Sequence, residues 1–232
     1  MIWRTISALA ITILSVAALS GCTLLGRSTY RFELTVEVDT PEGPRRGSSV
    51  IEVWASYNMP GSQERLWRVR GEAVAVDLPD GKTLFTLLKT GAIHGDMAGL
   101  SMEALDPAFK NDVVESAERI AERKKITSPA TVAAAIYPTL VTFGDIADPT
   151  SVELVDPDNL AATFGEGTAL RRITVQITDD PVTTGIEKRL GWLDEVRGAL
   201  VHIPVSQYPA AGTPLPLYAT LTERDFKRGV SR

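Results

Sequence analysis

The sequence predicts an α+β domain, built on an antiparallel sheet of about six to eight strands with its helices mainly on one face. Three observations lead there. Residues Arg31 to Asp39 alternate between apolar and polar side chains, the first ninety residues read as two hairpins, and a clear helical period enters only over Asp112 to Lys125. A doubly wound parallel sheet needs crossover helices between its early strands, and nothing in the first ninety residues supplies them.

In the first strand Phe32, Leu34, Val36 and Val38 fall on one face, and Arg31, Glu33, Thr35, Glu37 and Asp39 fall on the other. That period of two marks a strand with one side in water. Thr40 to Ser48 holds Pro41, Gly43, Pro44 and Gly47 and reads as a long loop, after which Ser49 to Tyr57 returns as a strand. Trp67 to Leu78 and Lys82 to Lys89 flank Pro79-Asp80-Gly81, where proline sets one φ and glycine permits a positive one. The apolar parity of Trp67 to Leu78 changes across Gly71, which predicts a β-bulge there.

Thr90 to Asp106 carries Gly91, Gly95 and Gly99 and reads as a loop with an irregular apolar segment. Over Asp112 to Lys125 the stripe Val113, Val114, Ala117, Ile120 and Ala121 predicts an amphipathic helix, with a capping box from Asp112 and Glu115. Thr139 to Phe143 reads as a short strand, Asp156-Pro157 as the start of a brief helix that stops at Gly165, and Leu170 to Thr178 as a strongly alternating strand. Thr184 and Glu187 suggest another capping box. Leu200 to Val205 and Leu217 to Leu221 read as strands, and the polar tail from Arg224 as frayed.

Ahead of all this, Arg4 precedes an apolar run from Ile6 to Ala18 that ends in Leu19-Ser20-Gly21-Cys22. The run is short for a membrane span and has the charged flank, apolar core and small-residue exit of a secretory signal. Leu-Ser-Gly-Cys resembles a bacterial lipobox. The resemblance implies cleavage after Gly21 and lipidation of Cys22, by thioether and by an acyl chain such as palmitate on the new amino terminus. The expected organisation is a signal peptide over 1–21, a lipidated tether over 22–29 and one α+β domain over 30–232. Thr23 after the cysteine, in place of an aspartate retention signal, favours the outer membrane, with the domain facing the periplasm.

Composition narrows the partners. Without the signal the chain keeps all 29 acidic residues against 23 Lys and Arg, a formal charge of −6. A nucleic-acid face would need a net basic footprint, so the membrane, reached through the N-terminal lipid, and an envelope protein or glycan are the partners expected. Cys22 is the only cysteine, so the domain must be held by packing alone, and thiolate chemistry is excluded.

The chemistry-bearing residues are sparse. His94 and His202 stand without a ligand motif, and no metal site or cofactor is expected. Gly99-Leu100-Ser101-Met102-Glu103 lacks the second glycine of a nucleophile elbow, and Gly165-Glu166-Gly167 lacks the third glycine of a dinucleotide fingerprint. Asp145, Asp148, Asp156, Asp158, Asp179 and Asp180 crowd the second half, where a carboxylate pair could hydrolyse a glycan. Three of them precede proline, however, which points to caps of turns and helix starts.

The stretches Phe143 to Val152 and Ile177 to Leu190, together with the hairpin over Tyr30 to Val53 and Val74 to Phe85, resemble an uncharacterised proteobacterial envelope-protein family. The resemblance implies an envelope lipoprotein and carries no catalytic residues, which stay unknown. The expected function is therefore a lipid-anchored, non-enzymatic binding or scaffold role, with an envelope-polymer hydrolase as the alternative. Arg171, Arg172, Lys188 and Arg189 are the candidate recognition surface.

Overall fold

The computed structural model describes residues 28–57, 65–90, 97–106, 117–210 and 212–229. Strand β1 (Ser28–Asp39) pairs antiparallel with β2 (Arg45–Tyr57) on one side and with β9 (Ala169–Ile177) on the other. Its alternation is realised as read: Phe32, Leu34, Val36 and Val38 are fully buried. With β3 (Arg65–Glu72), β6 (Ala130–Thr131) and β10 (Lys227–Arg228) these form a six-stranded sheet in the order β10-β3-β2-β1-β9-β6. The β1–β2 connection is shorter than expected, because Arg45 to Ser48 already lie in β2, paired with Val38 to Thr35. Arg46 and Ser48 are exposed strand residues, and exposed strand positions resemble loop in sequence.

The expected single sheet is two. At Ala73 the chain leaves the first sheet, and β4 (Val74–Asp77), β5 (Thr83–Thr90), β7 (Pro138–Phe143) and β8 (Val152–Val155) form a second antiparallel sheet in the order β4-β5-β7-β8. The parity change near Gly71 therefore marks a strand switching sheets, and the β2–β3 ladder runs to Arg70 without a register shift. The bulge lies in β9 instead. Glu37 pairs with Arg172 and Val38 with Leu170, so Arg171 is the extra residue.

The second sheet is buried on both faces. Val74, Val76, Leu84, Leu88, Leu140 and Val155 face the first sheet and share its core with Phe32, Leu34, Ile51, Ile173 and Val175. Phe85, Leu87, Val141 and Phe143 point the other way, into a core closed by Ile186, Leu190, Leu193, Leu200, Leu221 and Phe226 from the C-terminal segment. Phe143 is the hub of its rings, with Phe85 and Trp192 both edge-on at 5.6 Å.

The helices divide among these layers instead of gathering on one face. Helix α1 (Met97–Leu105) forms where a loop was expected; Met97, Ala98, Leu100, Ser101, Met102 and Leu105 are all buried, so no polar stripe announced it. It contacts both sheets. Helix α2 (Ala117–Arg123) is the described part of the helix expected over Asp112 to Lys125, and residues 112–116 lie outside the described residues. Ile120 is buried as expected, but Ala121 is exposed, and Arg123 is buried with its guanidinium 5.6 Å from the centre of the Tyr30 ring.

Helix α3 (Ala161–Phe164) starts later than expected and stops at Gly165. The second expected capping box, from Thr184, is absent; a 3₁₀ turn over Ile186–Lys188 follows Gly185 without a side-chain cap. Leu217 to Leu221 is not a strand but contains helix α4 (Leu217–Thr220), and Leu200 to Val205 is not one either. Residues 224–229 of the tail, its described part, are held by helix α5 (Glu223–Phe226), which carries its own capping box, Thr222 with Asp225, and by β10.

Candidate functional site

The aspartates test the hydrolytic reading. All six are exposed. Asp145 accepts the backbone N–H of Ala147 at 2.9 Å, Asp148 that of Thr150 at 2.8 Å, and Asp156 that of Asp158 at 2.9 Å. These are side chains folded back onto their own turns, the role in which aspartate before proline is favoured. Asp179 and Asp180 lie on a strap that leaves β9 at Thr178, where their carbonyls accept Arg31 Nη1 at 3.1 Å, and reaches β2 at Thr183. A carboxyl acid for glycoside cleavage must be held protonated by poor solvation, and none of these six is shielded in that way.

The candidate arginines are engaged. The β9 bulge places Arg171 and Arg172 together on the outer face, Arg171 Nε 2.8 Å from Asp39 and Arg172 Nη2 2.9 Å from Glu37. Arg189 Nη2 donates to Asp77 Oδ2 at 2.8 Å, across to β4 of the other sheet. This bidentate pair holds the Asp77 carboxyl below its ordinary range, through the hydrogen bond first and the charge second. Lys188 is exposed on the same turn. The four residues thus do not form one surface: Arg171 and Arg172 lie on the first sheet, Arg189 pairs with the second, Lys188 sits on an exposed turn, and ion pairs at such exposed positions are weak.

A buried carboxylate went unnoticed in the sequence. Glu72 ends β3 and is 1% exposed. Its Oε2 accepts the Ile186 N–H at 2.8 Å, while Oε1 has no hydrogen-bond partner among the described residues. Burial pushes its pKa up against the backbone N–H groups of Ile186 and Gly185, which favour the charged form. Beside it Lys227 bonds Glu187 at 3.0 Å and Asp194 at 3.4 Å. Burial opposes the Lys227 charge, but these acids outweigh it and raise its pKa. The cluster ties the β3 corner to the C-terminal layer. Ser101, in the rejected elbow, is likewise structural: it is fully buried and lies 2.8 Å from the Tyr30 hydroxyl.

A cleft opens around His202, which the sequence offered only as a histidine without a ligand motif. The cleft measures about 340 Å³, and its walls come from Thr150 ahead of β8, from His202 and Gln207 on the proline-rich loop, and from Pro209, Pro216 and Tyr218. Val201 and Ile203 complete it. A backbone bond from Val201 N to Tyr218 O, 3.1 Å, holds the two sides together. Val205 and Tyr208, next to the cleft in sequence, are 81% and 52% exposed. Nothing in the sequence marked His202 or its neighbours as a site, because they converge only through the C-terminal layer. Cys22 and His94 lie outside the described residues.

No protein-family model, curated protein or solved structure matches this chain. Among the described residues no three His, Cys, Asp or Glu side chains are placed to hold a metal ion, and no helix is long and apolar enough to cross a membrane.

Proposed function

We propose that the chain is a lipid-tethered envelope domain on the periplasmic side, anchored through Cys22, that binds another envelope component without transforming it. Its proposed family is the uncharacterised envelope group that Phe143 to Val152 and Ile177 to Leu190 resemble. The observation that carries binding over hydrolysis is the contrast between the open His202 cleft and the aspartates, three of which are committed to capping turns. The anchoring part rests on Leu19-Ser20-Gly21-Cys22 and on the spacing to β1, which begins six residues after Cys22. Six residues span at most about 20 Å, so a lipid there would hold the sheet close to the bilayer surface.

Two measurements test this. Cys22→Ser should abolish metabolic labelling with palmitate and release the protein from washed membranes; label and membrane association both retained would remove the anchor. A photo-crosslinking residue at Gln207 should capture an envelope component in intact cells, whereas one at Lys125, on an exposed helix end, should not. Equal yields from both sites, or none from Gln207, would remove the binding role.

A further inference from the structure

The cleft around His202 has a chemistry of its own. A binding pocket is usually apolar with a few placed polar groups, and its charged residues match charges on the ligand. Among the described residues no Asp, Glu, Lys or Arg lines the walls, on a chain in which 23% of residues are charged. A ligand carrying a carboxylate, phosphate or ammonium would lose its hydration with no opposite charge in return. That selects a neutral ligand.

The polar groups that remain are the Thr150 hydroxyl, the Gln207 amide, the His202 imidazole and the Tyr218 hydroxyl. The amide, the imidazole and the phenol can each donate and accept a hydrogen bond, while the Thr150 hydroxyl donates to the Asp148 carboxylate at 2.7 Å and only accepts from a ligand. Groups of that kind suit a ligand whose own polar groups are also ambivalent, and sugar hydroxyls are. Tyr218 adds an aromatic ring, against which the C–H face of a pyranose packs as an apolar surface. An acyl chain would fit poorly, since it would leave these polar groups dry and unpaired. The volume of about 340 Å³ suits one or two sugar rings, not a long polymer. Pro209 and Pro216, both in the lining, restrict its backbone, which lowers the ordering cost of binding.

We infer that the cleft formed by Thr150, His202, Gln207 and Tyr218 is a binding site for a neutral saccharide unit. The assignment rests on the binding reading above and names the class of ligand. The test uses the full chain in a detergent without sugar head groups, titrated calorimetrically with chitotetraose, with maltotetraose and with a capped tetra-alanine peptide. One saccharide series should bind saturably, and His202→Ala and Gln207→Ala, both at exposed positions, should each weaken it at least about tenfold. Lys125→Ala should leave it unchanged. Failure of both saccharides to bind, binding by either cleft variant as tight as the parent's, or preference for the peptide would overturn the assignment. The anchor is judged separately: a chain that Cys22→Ser fails to release yet binds sugar keeps the cleft and loses the tether, and a released chain that binds neither sugar does the reverse.

Discussion

Glu72 shows how one side chain sets a pH dependence. Its carboxyl is buried at the corner where β3 becomes β4, with one oxygen on the Ile186 N–H and the other unpaired among the described residues. Because burial raises its pKa on folding, the folded state holds the proton more tightly than the unfolded one. Glu72 therefore weighs least on stability below its unfolded value of 4.5, and the cost of its charge grows as pH rises through the folded value. Glu187 adds to that cost, and Lys227 offsets part of it. Glu72→Gln keeps an acceptor for Ile186 and removes the charge, so its stability relative to the parent should rise between pH 4.5 and 7.5. Thermal unfolding at the two pH values measures this. A variant that loses more stability at pH 7.5 than at 4.5 would contradict it.

Elements depend on the room between them. Gly47 in β2 passes so close to β4 that a Cβ built on it would come within 2.2 Å of the Ala75 carbonyl oxygen. Backbone cannot yield as a side-chain tip does, so Gly47→Ala should push the sheets apart and cost about 1–3 kcal/mol. Denaturant melts would show a lower midpoint with little change in slope; an unshifted midpoint would mean that the crossing is looser. The same scale explains which elements were legible. Strands β1 and β9 alternate because each has one face in water, and Pro79-Asp80-Gly81 supplies its hairpin turn with positive φ at Asp80 and Gly81. Helix α1 was missed because it is buried nearly all round, and Leu217 to Leu221 was misread because an apolar run does not state its partner. The turn-capping Asp148 and Asp156 were legible from Asp-Pro, whereas Asp145 caps its turn ahead of an isoleucine and Asp180, before Pro181, engages Arg31 through its carbonyl.

The whole molecule is a stack in which the second sheet serves two cores. The C-terminal segment forms the outer layer, and Phe226, fully buried, pins it beneath Phe85 and Phe143 at ring distances of 6.2 and 6.0 Å. Phe226→Ala should cost about 3–5 kcal/mol and expose Phe85 and Phe143 to solvent. A dye that fluoresces on apolar surface should then bind before the main unfolding transition. Loss of stability without early dye binding would mean that the two cores melt as one unit. The cleft depends on this layer, since His202, Gln207 and Tyr218 belong to it while Thr150 belongs to the loop before β8.

Sequence alone determined the half-exposed strands, the β4–β5 turn and the caps at Asp148 and Asp156, because each is written in the spacing of neighbouring residues. Tertiary structure decided that the strands split into two sheets, that Glu72 is buried and that Thr150 meets His202. Those outcomes depend on which apolar faces find each other, and a face buried on all sides leaves no polar pattern to read. The chemistry of the cleft belongs to the second group: its residues are ordinary one by one and become a site only where the C-terminal layer folds back over the second sheet.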